Sequence, residues 1–362
     1  MISTKQFRTI QEKVNSFKLY YERRNTRPLL GFFIESEYPL YRYNAARLLP
    51  DNTMLSPNDF NVELYLDDCE RLFIKHEELG GDFIWSASAF WGIPWLEVAL
   101  GCNIIADHKT GSIYSKPPVN FKGASCIPDF NEDSPWMLKV MEFLKKISER
   151  SAGRWPIGTT RMRGISDLLS ALYGGENFIY AMLEEPGEVK AVCEKLTDFW
   201  IAFGKLQLKE IPLYYGGVGS FYYHMWVPED TVWHQEDAAA LMNPELYQEF
   251  IRPCDEKIVK AFNGCIIHQH PTQYYPVNDY LQMGILALEL HIDAGGPNTE
   301  ELYQSHNRIL KDKPLIIWGD MLEKDLDWIF TKLPVQGLAV NTVVKDKEQA
   351  TYLWRKYIRT EQ

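Results

Sequence analysis

Short apolar runs separated by longer stretches of helical periodicity recur along almost the whole chain. That alternation constrains its fold more than any other feature. The apolar runs lie at 29–34, 82–85, 155–159, 212–217, 231–237, 265–267, 286–292, 315–318 and 337–340. Most are bounded by glycine, proline or polar residues and are too short for helices, as buried parallel strands are. Helices are predicted between them, over 61–79, 137–150, 165–173, 185–209, 276–283, 298–310, 322–332 and 346–358. Gly80-Gly81 stops the first as a C-cap does, and Asn243-Pro244 opens a further one with an N-cap and a proline at the first helical position. Strands alternating with helices in this number favour an α/β protein built as a single (β/α)8 TIM-type barrel over residues 27–362. No G-x-G-x-x-G follows the first strand, which argues against a dinucleotide fold. Residues 1–26 read as an N-terminal helical extension, with Phe7, Ile10, Val14, Phe17 and Tyr21 at steps of three and four. Residues 103–135 read as an irregular excursion.

Charge and cysteine usage narrow the partners. A net charge of −11, with no run of basic residues, argues against nucleic acid. No stretch is apolar enough over 18 residues to span a membrane, and the N-terminus lacks the apolar region of a secretory signal. The expected location is cytoplasmic. Six cysteines without C-x-x-C spacing read as reduced thiols.

In a barrel of this kind, chemistry sits at the C-terminal ends of the strands. The most telling end is His268-Gln269-His270-Pro271. Residues two apart on a strand share a face, so both histidines can enter one pocket before proline ends the ladder. Such a pair suits a metal site, a paired acid/base or a structural hydrogen-bonded pair. Other polar residues fall at comparable ends: Glu35, Glu37, Arg161, Arg163, His234, Asp237, Glu289, His291, Asp293, Asp320 and Asn341. Arg161 and Arg163 can hold a carboxylate through bidentate hydrogen bonds, or serve in surface ion pairs. Glu35 and Glu37 face either a pocket or solvent. His291-Ile292-Asp293 has the spacing of a histidine oriented by a carboxylate, for general-base or metal work, although Asp293 also precedes a turn. Trp91 and its aromatic neighbours can wall a ligand pocket or fill a core.

Three stretches resemble the uroporphyrinogen decarboxylase superfamily, which includes the porphyrin decarboxylase and cobalamin-dependent thiol methyltransferases. They are 92–102 (GIPWLEVALGC), 237–253 (DAAALMNPELYQEFIRP) and the His268-Gln269-His270 strand followed by 283–288 (MGILAL). The resemblance implies a TIM-type barrel and a homodimer. The decarboxylase carries two arginines in an R-Q-A-G-R-Y motif on its first strand; the corresponding residues here are Gly31 to Tyr38, with Glu35 and Glu37 where cations would bind a polyanion. That substitution speaks against a porphyrinogen substrate. The methyltransferase branch holds zinc through H-x-C on the histidine strand and a later cysteine. His268 and His270 match as competent ligands; the later cysteine is absent, and Glu289, His291 or Asp320 would complete the set. Fewer thiolates make a harder, more Lewis-acidic site, suited to an oxygen substrate as well as a thiol.

Three functions follow. The first is a zinc-assisted methyltransferase or demethylase of a small molecule, using methylcobalamin or a corrinoid protein as co-substrate. The second is a metal-free decarboxylase or lyase, with Arg161, Arg163 and Asp237 handling an acidic substrate. The third is a non-catalytic binder of a tetrapyrrole or other flat ligand. The catalytic candidates are Asp237, Glu289 and His291; the metal candidates are His268, His270 and Asp320. The substrate-binding candidates are Glu35, Glu37, Trp91, Arg161, Arg163, His234 and Asn341.

Overall fold

A computed structural model describes residues 2–220, 223–271 and 275–358. Ten strands are found among them: β1 (Leu29–Ile34), β2 (Asn103–Asp107), β3 (Ser112–Lys116), β4 (Gly217–Ser220), β5 (Met225–Pro228), β6 (Thr231–Gln235), β7 (Gly264–Gln269), β8 (Ala287–Ile292), β9 (Leu315–Gly319) and β10 (Leu338–Val344). Six of them form one parallel sheet in the order β1-β10-β9-β8-β7-β6. Helices connect its successive strands from β6 to β10 and cover it, Tyr303–Asp312 against β9 and Lys347–Tyr357 against β10. Its strands are buried almost throughout, which is why they read as continuous apolar runs rather than as alternation.

Beyond the sheet's two edges the chain continues the hydrogen bonding without forming long strands. Asp82 N donates to Leu30 O at 2.9 Å on the β1 side. Ala87 bridges Ile157 and Arg163 bridges Gln235, both in parallel fashion, the latter reaching β6. The predicted strands at 82–85 and 155–159 therefore form no ladder: the first is held by hydrogen bonds from Asp82 N to Leu30 O and from Ile84 N to His224 O, the second by the single bridge at Ile157.

The run at 212–217 is corrected more sharply. Tyr215 and Gly216 take φ of +52° and +74°, and Tyr214 N donates to Gly217 O at 2.7 Å, closing a turn. The strand begins only at Gly217, in the antiparallel β4–β5 hairpin. Within 103–135, β2 and β3 form a second antiparallel hairpin that periodicity did not reveal.

The helix predicted at 61–79 spans Val62–Leu79, with Asn61 accepting from Glu63 N at 3.1 Å and Gly80 leaving it at φ +70°. Residues 10–21 form a helix with a capping box at Thr9. Its Val14, Phe17 and Tyr20 are buried, and Lys13 Nζ donates to Phe83 O at 3.0 Å, so this segment packs into the same core as the sheet. No helix among the described residues is long and apolar enough to cross a membrane.

Candidate functional site

β7 is fully buried and ends at Gln269. Strand alternation sends Gln269 away from the pocket, where its amide donates to Glu236 O at 2.6 Å, and turns His268 and His270 into a common cavity. The cavity measures about 300 Å³. Asp237, Asp293, Glu37 and His291 also line it, opposite aromatic surface from Trp91 and Trp233.

Each histidine of the pair is held from behind. The Nδ1 edge of His268 meets Glu289 Oε2, its register partner on β8, and lies 2.8 Å from Tyr223 Oη, which itself donates to Glu289 at 2.8 Å. The Nδ1 of His270 lies 2.8 Å and 2.9 Å from the two oxygens of Asp293. With each Nδ1 edge turned to these carboxylates, both Nε2 edges face Asp237, at 3.6 Å for His268 and 3.9 Å for His270. Asp237 Oδ1 is buried without a hydrogen-bond partner. Ligand atoms of Asp237, His268 and His270 all lie within 4.8 Å of one another. Two imidazoles and a carboxylate, with the imidazole backs fixed by carboxylates, match what a zinc ion needs from a protein.

The electrostatics of the rim divide its acids and bases. Burial disfavours the His270 cation, yet its hydrogen bond to Asp293 and the charges of Asp237, Asp293 and Glu289 outweigh this and raise its pKa to about 9. His291 is lowered to about 3, first by burial and then by the two neighbouring histidines. It is therefore a neutral imidazole, tilted over Trp318 with ring centroids 4.6 Å apart and 3.9 Å from Glu37 Oε2. Burial, with help from the charges of Asp320 and Asp293, raises Glu37 to about 7.

The other residues singled out from the sequence are placed elsewhere or play different parts. Glu289 is fully buried behind His268 and orients it rather than facing the cavity. Asp320 is exposed and belongs to neither histidine–carboxylate group at the cavity; the carboxylate that lies with both His268 and His270 is Asp237. Glu35 turns away at φ +71° and pairs with Arg71 at 2.6 Å and with Lys75. Arg163 lies between Glu97 at 3.0 Å and Asp167 at 3.4 Å, while Arg161 lines the cavity. His234 is sealed inside, 3.0 Å from Glu236 and 3.4 Å from Asp255. Asn341 is buried and donates to Tyr223 O at 3.0 Å, supporting the hairpin that delivers the tyrosine.

Sequence reasoning missed Tyr223, Gln235 and Glu236. Gln235 reaches Asp237 with its amide, and Glu236 accepts from Ile165 N at 2.6 Å and Ser166 N at 2.9 Å at the start of a helix. Only adjacency to His234 and Asp237 marked the last two; nothing in the local sequence marks Tyr223.

Comparison with known proteins falls into place on this geometry. The structure is similar over 97% of its length to 99% of a methyltransferase from Methanosarcina mazei, with a TM-score of 0.64 and 13% identity, which makes this an α/β protein of that fold. The family model for uroporphyrinogen decarboxylase matches residues 76–211, so the resemblance to that superfamily holds. That segment includes 92–102 of the stretches quoted above, whereas the histidine strand lies outside it. No curated protein matches the chain.

Proposed function

We propose that the protein is a zinc-assisted, corrinoid-dependent methyltransferase or demethylase of a small molecule, on an eight-stranded barrel completed by the bridged segments near residues 82–87 and 155–164. The observation that carries this reading is the pair of histidines whose Nδ1 edges are fixed by carboxylates and whose Nε2 edges face the two oxygens of Asp237, Oδ1 without a hydrogen-bond partner and Oδ2 accepting from Gln235. His268, His270 and Asp237 would hold the metal, which supplies Lewis acidity to lower the pKa of a substrate hydroxyl or thiol. Glu289 and Tyr223 keep the His268 ring in one orientation, and Asp293 does the same for His270. Glu37, with its pKa near 7, is placed to exchange a proton with the substrate at neutral pH.

The fold shared with the Methanosarcina mazei methyltransferase supports the same class of reaction. A porphyrinogen substrate is disfavoured by a cavity of about 300 Å³ lined by Glu37, Asp237 and Asp293. A metal-free carboxy-lyase is the second reading, and Arg161 is the residue that favours it. Metal analysis of the purified protein, followed by methyl transfer to cob(I)alamin from methyl ethers and thioethers, separates the two. Near-stoichiometric zinc and methylcobalamin formation are expected. A protein that takes up no metal on reloading would end the first reading.

A further inference from the structure

We infer that Arg161 is the anchor for a carboxylate of the substrate, so that the site takes a small organic acid carrying its reacting oxygen or sulfur at the opposite end. The identity of the reacting end rests on the function proposed above; the anchor does not. Two arginines leave the same segment and meet different fates. Arg163 is neutralised by Glu97 and Asp167, both buried. Arg161 makes no hydrogen bond or ion pair to any described residue, its Nε is buried without a partner, and its side chain lines the cavity. Burial and the Arg163 charge pull its pKa down, and Glu97, Asp237 and Asp167 pull it back up. A guanidinium remains protonated under such opposing influences.

An unpaired guanidinium in a partly desolvated site is costly, and a planar carboxylate satisfies it through two parallel N–H···O bonds. The other cation of the lining, His270, is already paired with Asp293. Glu37, Asp237 and Asp293 are acidic, and Arg161 is the one lysine or arginine among the described lining residues. The sheet register gives the scale of the ligand. Arg163 is bridged to Gln235, and Gln235 pairs with His268, so the arginine segment lies two strands from the histidine pair. At the spacing of neighbouring strands the two backbones are about 10 Å apart, a scale that suits a benzoate with a para substituent. The indoles of Trp91 and Trp233 line the same cavity and suit a flat body.

The test uses the full-length protein after dialysis against chelator, so that binding is read without metal or turnover. Titration calorimetry compares benzoate, 4-methoxybenzoate and 3-phenylpropanoate with their neutral amides. The acids are expected to bind roughly tenfold more tightly than the amides, or better. Arg161→Gln should erase that preference and Arg161→Lys should restore part of it, while His268→Ala keeps it. Equal binding of acids and amides, absence of binding by all three acids, or a preference that survives Arg161→Gln would overturn the assignment. The acid–amide comparison in the unmodified protein decides the matter even where a variant fails to fold. Acid preference without metal uptake would leave this inference standing and remove the zinc reading; metal uptake without acid preference would do the reverse.

Discussion

Two clusters in this molecule are built from the same residue types and do opposite work. At the cavity, His268 and His270 stand with Asp237, Asp293 and Glu289; a few residues away, His234 stands with Glu236 and Asp255. All three residues of the second cluster are fully buried. There Glu236 accepts two backbone N–H groups at the start of the Ile165–Tyr173 helix, the Ser166 hydroxyl and the His234 ring. Asp255 accepts from Tyr247 at 2.7 Å, and burial together with the charge of Glu236 raises its pKa far above the carboxylate range, so it is held as the neutral acid. Gly164 is required beside it, because a Cβ there would collide with the Glu236 carboxylate. At the cavity, by contrast, the two Nε2 edges and Asp237 line open volume, whereas the unpartnered His234 Nδ1 and Asp255 Oδ1 of the second cluster are sealed in the core. Chemistry is separated from architecture by whether anything can reach the polar atoms left over.

The largest effect that sharpens this contrast should come from the cavity pair. His268→Ala, His270→Ala or Asp237→Asn is expected to weaken zinc binding roughly a thousandfold, about 4 kcal/mol, with little change in thermal midpoint. Metal retained in all three variants would break the comparison. Glu236→Ala should show the converse behaviour. Urea titration should find a loss of about 3 kcal/mol in stability, because four donors lose their buried acceptor, while zinc content per folded molecule stays constant.

Glu289→Gln tests the boundary between the two kinds of role. With the ring of His268 less firmly fixed, zinc affinity is expected to fall by about 10- to 100-fold, and the circular dichroism spectrum should not change. The smallest effect concerns His306, buried in the Tyr303–Asp312 helix with both ring nitrogens unpartnered. Burial lowers its pKa to about 3. The unfolded chain therefore binds its proton first, at about pH 6.5, and stability contributed by the neutral ring is lost as pH falls from there towards 3. At pH 5.5 this amounts to roughly 1.4 kcal/mol relative to pH 7.5. His306→Leu should remove that part of the acid slope in denaturant melts at the two pH values; an unchanged slope would show that the ring is hydrated.

Much of the fold was legible because helix and strand periodicity survive burial. Asn61, Gly80 and Asn243 act as the caps their residue types announced. Errors clustered where hydrogen bonding between distant segments decides the state. The runs at 82–85 and 155–159 have strand composition, yet each is held by few ladder bonds, and 212–217 turns back on itself at Tyr215 and Gly216. For the site, strand spacing foresaw that His268 and His270 would share a pocket. Spacing could not rank Asp237 above Asp320 as their companion, because both follow strand ends and differ only in which way the chain turns afterwards.

By itself, then, the sequence determined the α/β alternation, the helix limits and the two-residue step that puts both histidines on one face. Those features depend on neighbours within a turn or a strand, where backbone geometry is fixed by residue type. The tertiary structure alone decided that Glu289 and Tyr223 stand behind His268, that Arg163 is neutralised and Arg161 is not, and that His234 is sealed away from the cavity. Each of those outcomes turns on contacts between strands and helices tens of residues apart, whose relative register no local pattern encodes.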